Sequence, residues 1–236
     1  VVADPGTVVF KELWAPFLTD FTKHLTEKGW LEITNIAMDE RSPEMMSEAV
    51  KLLEEYAPNL GISLADNHKS YQNYPMIKDI TVKVNAKVEE KDIEFRRKNN
   101  LITTYYVCCS DPFPNMFTFS PSAESCYSAW YSYAAGYDGM LRWAYNSWPE
   151  DPVVDSRFRK FPSGDTYFVY PDGRSSIRFE RLIEGIQDIE KIKILKAEFQ
   201  NNNSAESLAK LEELNSEVQK FNVIGKPTTT VEQMLK

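Results

Sequence analysis

Hydrophobic residues follow two alternating patterns along the chain, and each pattern predicts one kind of secondary structure. Apolar residues three or four positions apart predict amphipathic helices, whereas short apolar runs rich in β-branched and aromatic residues predict strands. The predicted helices are 13–28, 43–56, 89–98, 122–137, 175–199 and 208–221. The predicted strands are 31–39, 61–65, 77–84, 101–109 and 139–145. Because strands alternate with helices, the sequence predicts an α/β fold with βα units around a parallel sheet.

The first predicted strand ends in two adjacent carboxylates, Asp39 and Glu40. In (β/α)₈ enzymes the catalytic groups lie at the C-terminal ends of strands, so this position suits a catalytic pair. Neighbouring residues in a regular strand point to opposite faces, and both acids can serve one site only where the strand gives way to a loop. Ser42-Pro43 opens the next predicted helix and places that exit just after Glu40. The alternative interpretation is an acidic helix-entry segment with Ser42 as the cap.

The number of predicted strands is too small for a closed barrel. A (β/α)₈ barrel has eight strands, whereas this sequence predicts about five, and an incomplete barrel leaves open sheet edges. We therefore expect the chain to be the C-terminal part of a TIM-type barrel in a larger protein, without its first strands. The polar run 201–204 divides the predicted barrel portion, residues 1–199, from a predicted C-terminal helical extension and polar tail, residues 200–236.

Composition and charge narrow the class of protein only slightly. The 236 residues are 42% hydrophobic, which suits a globular domain with a sizeable core. A net charge of -8 argues against nucleic acid and anionic membrane surfaces as partners, and no apolar run is long enough to cross a bilayer. Cys108, Cys109 and Cys126 form neither a zinc pattern nor a disulfide framework. We interpret Cys108 and Cys109 as buried, unreactive thiols, with a strained vicinal disulfide or reactive thiols as the alternatives.

A series of short motifs, taken in order, is more specific than any one of them. The motifs are Pro5-Gly6-Thr7, Trp14, Leu25-Thr26-Glu27-Lys28-Gly29-Trp30, Asp39-Glu40, Tyr105-Tyr106-Val107-Cys108-Cys109, Tyr137-Asp138-Gly139-Met140-Leu141-Arg142-Trp143, Asn146-Ser147-Trp148, Gly164-Asp165, Tyr170-Pro171, Ser176-Ile177-Arg178-Phe179-Glu180-Arg181 and Glu184-Gly185-Ile186-Gln187-Asp188. In this order they resemble the catalytic domain of glycoside hydrolase family 123 and its relatives over about residues 5–195. The sequence departs from the pattern at Leu182-Ile183 and Ile189, where relatives often carry Arg and Tyr.

The resemblance implies a fold, an activity and a location. Family members characterised as enzymes are retaining exo-β-N-acetylgalactosaminidases that act on glycolipid or glycoprotein glycans. Their (β/α)₈ catalytic domain usually follows a β-sandwich domain, which this chain lacks. The resemblance further implies a periplasmic, secreted or cell-surface protein that needs no metal and no organic cofactor. It also implies substrate-assisted catalysis, in which the 2-acetamido carbonyl of the sugar attacks the anomeric carbon and forms an oxazolinium-type intermediate.

The acidic pair of the family falls on Asp39 and Glu40, which the resemblance gives different roles. Glu40 would protonate the leaving glycosidic oxygen and then deprotonate the incoming water, so its carboxyl group must hold a proton near neutrality. Asp39 would stay ionised, accept a hydrogen bond from the acetamido N–H and orient the carbonyl for attack. Two adjacent acids favour this division because ionisation of one discourages ionisation of the other.

Three residues around the end of the last predicted strand are candidates for sugar binding. Trp143 and Trp148 would form an aromatic floor under the sugar, and Asn146 would bind hydroxyl groups or the acetamido group. The alternative is that these aromatic side chains fill the barrel interior. Position and family resemblance favour binding somewhat more for Trp143 and Asn146 than for Trp148.

Three further candidates lie elsewhere in the chain. Tyr106 would bind the attacking carbonyl oxygen through its hydroxyl group, or else pack in the core beside Tyr105. Asn67 follows the second predicted strand, next to a loop histidine that we expect to be exposed, and Asp165 would reach a sugar hydroxyl from a loop. Arg178 and its charged neighbours are interpreted as an ion-pair network that anchors the last long helix of the barrel portion.

Two hypotheses about function remain open from the sequence. The first is a glycosidase that removes a terminal β-linked N-acetylhexosamine, with a glycan substrate as its partner. The second is a non-catalytic glycan-binding or structural relative with the same fold. An enzyme requires both acids at one cleft with an aromatic wall. The sequence does not determine the oligomeric state.

Overall fold

The computed structural model of the protein describes residues 3–226 and 230–235, and within them it contains seven α-helices and five strands. The helices are α1 (Val8–Lys28), α2 (Pro43–Tyr56), α3 (Glu90–Lys98), α4 (Ala123–Ala134), α5 (Ile177–Asn202), α6 (Ala205–Gln219) and α7 (Val231–Met234). The strands are β1 (Asn35–Asp39), β2 (Gly61–Asp66), β3 (Asp79–Lys83), β4 (Ile102–Tyr106) and β5 (Gly139–Leu141). Each predicted helix and strand is therefore present, with boundaries that differ by a few residues.

The strands form a parallel sheet in which the strand order follows the sequence, β1-β2-β3-β4-β5. β1 pairs in parallel with β2, with Asp39 opposite Ala65, and β2 pairs in parallel with β3. β4 pairs in parallel with β5, with Tyr106 opposite Leu141. This α/β arrangement confirms the predicted class and is consistent with part of a (β/α)₈ barrel. Closure of a barrel stays a prediction.

The chain divides into two compact units, of which the first ends at Thr103 and the second begins at Thr104. β4 contains this boundary, so its first two residues belong to the first unit and the remaining three to the second. The predicted boundary near residue 199 is not tested by this division. α5 continues through that position as far as Asn202, where Asn203 ends it in a left-handed conformation.

The core of the first unit forms where α1 and α2 pack on one another. Its buried members come from both helices and the connection that follows α2, namely Leu18, Leu25, Leu52, Leu53, Ala57 and Leu60. α1 begins at the cap residue Thr7, whose hydroxyl accepts the Phe10 N–H, and it ends at Gly29 with φ of 69°. Glycine adopts this left-handed conformation without the steric cost that other residues meet, so Gly29 stops the helix.

A buried arginine joins α3 to the strands of the first unit. The Arg96 side chain is only 1% exposed. It donates hydrogen bonds to the hydroxyl of Thr103 and to the carbonyls of Ile77 and Ile102, over 2.7–3.0 Å. Arg96 thus connects the chain just before β3 to the start of β4, and its buried guanidinium has hydrogen-bond acceptors for its donors.

The core of the second unit depends on close contact between α4 and α5. Gly185 of α5 lies against α4, where a Cβ atom at this position would meet the carbonyl oxygen of Cys126 at 2.5 Å and the Ala129 Cβ at 3.0 Å. Only glycine allows the two helix backbones to approach this closely. On α6, the Gln219 side chain donates to the carbonyl of Ala134 at the end of α4.

Four predicted strands, those matching β1, β3, β4 and β5, are longer than the observed ones, and local structure explains the difference for β1, β4 and β5. Residues Leu31–Ile33 form a 3₁₀ turn, so β1 begins only at Asn35. β4 ends at Tyr106 because the following chain turns, with the Cys108 N–H donating to a carboxylate oxygen of Asp111. β5 ends at Leu141 because the chain then pairs with a later loop, including an antiparallel bridge between 146 and 167.

None of the helices that the structure describes is both long enough and apolar enough to cross a membrane.

Candidate active site

The backbone at the end of β1 places both acids where a strand gives way to a loop. Asp39 is the last residue of β1. The Glu40 N–H still donates to the carbonyl of Ala65 on β2 over 3.1 Å, but Glu40 has a φ of 29°. A positive φ breaks the regular alternation of side chains, so the rule that neighbours point to opposite faces no longer separates the two acids. Both residues are exposed.

The segment after Glu40 explains why the strand ends there. Ser42 is the cap of α2, and its hydroxyl accepts the Met45 N–H over 3.3 Å. Pro43 occupies the first position of the helix, where its missing N–H has no cost. The capping role that the alternative interpretation gave to Ser42 is therefore correct. It does not compete with a catalytic role for Asp39 and Glu40, since the chain leaves the strand before the cap.

One cavity of the first unit, with a volume of about 470 Å³, lies beside β1. It is lined by consecutive residues of β1, by α1 and α2, and by polar groups at the strand end. The lining includes Phe10, Trp14, Leu18, Ile36, Ala37, Met38, Asp39 and Arg41. Because consecutive residues of β1 contribute, both faces of the strand border this cavity, and it runs along the edge of β1. Glu40 is not among its lining residues, so we do not assign this cavity to the substrate.

The loop after β2 is shaped by a buried carboxylate. Asp66 is 3% exposed, and its two oxygens accept the N–H groups of His68 and Tyr71 over 2.9 and 3.2 Å. Asp66 therefore has a structural role. Asn67 and His68 are exposed at this strand end. The exposure predicted for His68 is confirmed, and a sugar contact by Asn67 stays a prediction.

The two tyrosines of β4 point to different faces of the sheet, as strand geometry requires. The Tyr105 hydroxyl donates to the carbonyl of Ser128 on α4 over 2.8 Å, and its ring packs against Tyr131 and Tyr137. Burial raises the pKa of Tyr105. Tyr105 is therefore a core residue on the helix side, and Tyr106, which is also buried, lies on the opposite face. Tyr106 remains the candidate of the two for substrate binding.

The aromatic residues after β5 have different environments. The Trp143 side chain remains 41% exposed, and its ring packs on Phe161 at a centroid distance of 5.0 Å. Asn146 is exposed and bridges to Tyr167. Trp148 is half-buried, and its indole N–H donates to the carbonyl of residue 169 over 2.7 Å. The exposed ring of Trp143 can therefore contact a sugar, whereas Trp148 has a structural hydrogen bond.

Beneath Trp143 lies a buried ion pair between Arg142 and Asp165. Asp165 is fully buried, and its carboxylate lies 3.2 Å from the Arg142 guanidinium. The same carboxylate oxygen accepts the Trp143 indole N–H over 3.4 Å. Burial lowers the pKa of Arg142, and the charge and hydrogen bond of Asp165 oppose that shift. A direct sugar contact by Asp165 stays a prediction, but this geometry gives the residue a role in orienting Trp143.

Arg142 was not among the site residues that the sequence predicted. It directly follows β5, and only the fold brings it to Asp165, twenty-three residues further along the chain. The second oxygen of Asp165 and the Nε atom of Arg142 are buried without a hydrogen-bond partner among the described residues. In the sequence, only the position of Arg142 beside a strand end indicates a role in the site. That position does not show that Asp165 is its partner.

The cysteines differ from the prediction that Cys108 and Cys109 are buried. None of the three cysteines, all of which the structure describes, forms a disulfide. Cys109 is exposed and Cys108 is half-buried. The prediction of burial was therefore wrong for Cys109, because β4 ends at Tyr106 and residues 107–109 belong to the turn beyond it. Only Cys126, on α4, is buried.

This difference predicts unequal thiol reactivity. Burial raises the pKa of Cys126 to about 11, so only on the order of one molecule in a thousand carries the reactive thiolate at about pH 8. We expect DTNB to modify Cys109 rapidly in the folded protein and Cys126 only after unfolding. The measurement is the time course of thiol release, with the modified peptides identified by mass spectrometry. Cys109→Ser is expected to remove one equivalent from the fast phase, and labelling of Cys126 as fast as Cys109 would contradict the burial.

One group of metal-binding side-chain types occurs among the described residues. The ligand atoms of Cys126, Glu184 and Asp188 lie within 4.8 Å of one another. Glu184 already pairs with Arg181, and Asp188 with Lys191 at 2.9 Å. These cations supply the charge that a metal would otherwise supply, so we assign no metal here. The expectation that no metal or cofactor is needed stays a prediction.

The first unit thus presents two acids at the end of β1, and the second unit an exposed aromatic ring after β5. The model of the glycoside hydrolase 123 catalytic domain matches residues 1–195, and the chain belongs to this family. The family suggested by the sequence motifs is thereby confirmed.

A solved structure of a family 123 glycoside hydrolase from Clostridium perfringens is similar to this chain. The TM-score is 0.75 and the sequence identity is 27%, over 94% of this chain and 46% of that one. The chain thus spans less than half the length of that enzyme, whose structural study concerns glycolipid glycan hydrolysis. No curated protein sequence matches the chain.

Proposed function

We propose that the protein is a retaining exo-glycosidase that hydrolyses terminal β-linked N-acetylhexosamine, with N-acetylgalactosamine as the preferred sugar. The observation that carries the proposal is the end of β1, where Asp39 closes the strand and Glu40 turns the backbone with a φ of 29°. Family membership supports glycosidase chemistry. The choice of sugar and the mechanism are inferences from the types of the two acids and from the family.

The proposed reaction has two steps, and each acid has one role. In the first step the acetamido carbonyl oxygen of the substrate attacks the anomeric carbon while the bond to the leaving oxygen breaks and Glu40 donates its proton to that oxygen. Asp39 accepts a hydrogen bond from the acetamido N–H and stabilises the positive charge of the cyclic oxazolinium-type intermediate. In the second step water attacks the anomeric carbon, the bond from that carbon to the acetamido oxygen breaks, and Glu40 takes a proton from the water. This step restores the acetamido group and the protonated Glu40, and the product keeps the configuration of the substrate.

Three residues that the sequence analysis selected would bind the sugar. The exposed ring of Trp143 would stack on the apolar face of the pyranose, and Asn146, also exposed, would hydrogen-bond to hydroxyl groups. Tyr106 would donate a hydrogen bond to the attacking acetamido carbonyl. A glycan of a glycolipid or glycoprotein is the proposed substrate, and a periplasmic, secreted or cell-surface location is proposed with it.

Substrate assistance predicts a strict need for the acetamido group. We expect the intact protein to hydrolyse aryl β-N-acetylgalactosaminide and to show turnover at least about a hundredfold lower on the matching aryl β-galactoside, which has a hydroxyl in place of the nucleophile. The test compares kcat/KM for the two substrates, with aryl β-N-acetylglucosaminide included to define the preferred sugar. Equal rates on the acetamido and hydroxyl sugars would exclude substrate assistance. Binding of the sugars without turnover would favour a non-catalytic glycan-binding protein.

A further inference from the structure

The loop between β5 and α5 contains a short hairpin that ends in a basic turn, Phe158–Phe161. Phe158 and Phe161 form an antiparallel bridge, and the Phe161 N–H donates to the Phe158 carbonyl over 3.2 Å. The two residues at the tip, Arg159 and Lys160, are exposed. The fold thus presents two adjacent cations on a closed turn, in a chain whose net charge is -8.

The base of this hairpin is fixed in the second unit. The Gly164 N–H donates to the Ser156 carbonyl over 3.3 Å, and the Gly164 carbonyl accepts from the buried Arg178 over 2.8 Å. Gly164 has a φ of 80°, and a Cβ atom there would lie 2.6 Å from the Thr118 Cγ2 atom. Because only glycine fits position 164, the backbone at the base of the hairpin has one defined conformation. This conformation fixes the position of the basic turn.

The tip of the basic turn has features that a purely structural turn does not require. Arg159 has a φ of 54°, at a turn position where glycine is the favoured residue. Its guanidinium lies 5.1 Å from the centre of the Phe158 ring, a cation–π contact that orients it. Among the described residues neither Arg159 nor Lys160 has a carboxylate partner, whereas the nearby Arg157 pairs with Asp155 at 2.7 Å.

The basic turn adjoins the proposed sugar platform. The Phe161 ring packs on Trp143 at 5.0 Å, and the indole N–H of Trp143 is held by the buried Asp165. Arg159 and Lys160 therefore lie two residues and one residue before Phe161, whose ring contacts Trp143. An anionic group near the sugar could therefore form charge-assisted hydrogen bonds with Arg159 and Lys160.

We propose that the basic turn is a subsite for an anionic group of the glycan substrate, bound by Arg159 and Lys160 beside Trp143. The chemistry it recognises is a sulfate or carboxylate group, carried either by the terminal sugar or by the part of the substrate that leaves. This inference rests on the proposed function, because it takes Trp143 as the platform for the sugar. It adds a preference for acidic glycans to that function.

The test uses two pairs of substrates on the intact protein. The first pair is umbelliferyl β-N-acetylgalactosaminide with and without a 6-O-sulfate, so the charge is on the terminal sugar. The second pair has the unsulfated sugar and an umbelliferyl leaving group with and without an acetic acid substituent, so the charge is on the leaving part. The quantity measured is the ratio of kcat/KM for the charged to the uncharged substrate. We expect this ratio to fall about fivefold to tenfold in Arg159→Gln/Lys160→Gln for at least one pair. Raising the salt concentration is expected to lower it in the wild type.

The control is Lys191→Gln/Lys193→Gln, which removes two exposed charges from α5 and is expected to leave both ratios unchanged. The pair that responds shows whether the anion belongs to the terminal sugar or to the leaving part. If neither ratio differs between the wild type and the basic-turn variant, the proposal is overturned while the glycosidase function stands. If no substrate is hydrolysed, the proposed function fails. Calorimetry then measures the affinity of the wild type, the basic-turn variant and the control for sulfated and unsulfated N-acetylgalactosamine. A ratio of the two affinities that does not fall in the basic-turn variant overturns the proposal.

Discussion

Replacing Glu40 by Gln is expected to lower kcat about a thousandfold on an aryl β-N-acetylgalactosaminide with a poor leaving group. Glutamine keeps the size of the side chain but can neither donate the proton to the leaving oxygen nor take one from water. A leaving group that needs no proton, such as 2,4-dinitrophenolate, should recover much of the rate of the first step. The measurement is the burst and steady-state rate on both substrates, wild type against variant.

Asp39→Asn is expected to behave differently, which separates the two roles. The amide cannot provide the negative charge that stabilises the oxazolinium-type intermediate, so we expect a loss of about a hundredfold or more on both leaving groups. The matched control is Glu54→Gln on α2, an exposed acid away from the strand end, which should keep the wild-type rate. Full activity of Glu40→Gln on the poor leaving group would remove Glu40 from the mechanism.

The second large effect concerns stability and the buried ion pair beneath Trp143. Asp165→Ala leaves the Arg142 guanidinium buried without its carboxylate, and loss of one partner from such a pair costs about 3–5 kcal/mol of unfolding free energy. Arg142→Met should cost a similar amount, because it leaves the carboxylate of Asp165 fully buried without its ion-pair partner. Chemical denaturation monitored by circular dichroism measures these changes.

Two further variants distinguish a broken pair from a general loss of packing. Arg142→Met/Asp165→Leu is expected to recover a large part of the stability, since neither charge is then left alone. Asp155→Ala breaks the exposed pair with Arg157 and should change the unfolding free energy only slightly. Equal losses for the single and double variants of the buried pair would mean that packing, and not charge, accounts for the effect.

Local signals predicted the parts of the fold that depend on neighbouring residues. The predicted end of α1 at residue 28, just before Gly29, and the role of Ser42 as the cap of α2 are both confirmed. Each of these positions is determined by backbone conformation or by a hydrogen bond within one helical turn, so the sequence pattern contains the necessary information. The same is true of the end of β1, which falls at Asp39 as predicted.

Features that depend on distant residues could not be read from the sequence. The run 31–39 is apolar enough for a strand, yet Leu31–Ile33 forms a 3₁₀ turn, because strand pairing with β2 begins only at Asn35 opposite Gly61. Strand propensity is a weak guide wherever pairing decides the structure.

Long-range pairing also explains what was missed at the candidate site. The ion pair of Arg142 with Asp165 and the packing of Trp143 on Phe161 join positions that are far apart in sequence. The sequence motifs indicate Trp143 and Asp165 separately, as sugar contacts. Only the fold shows that the buried carboxylate accepts the indole N–H, which makes Asp165 a positioning residue for Trp143 in this account.

The most direct test of the central claim is the configuration of the product in the first moments of hydrolysis. Proton NMR of the wild-type reaction on an aryl β-N-acetylgalactosaminide is expected to show the β-anomer of the released sugar first, with the α-anomer appearing only as the sugar mutarotates. Retention follows from two displacements at the anomeric carbon, the first by the acetamido group and the second by water. Initial release of the α-anomer, or no hydrolysis by the folded protein, would contradict the account of Asp39 and Glu40 given above.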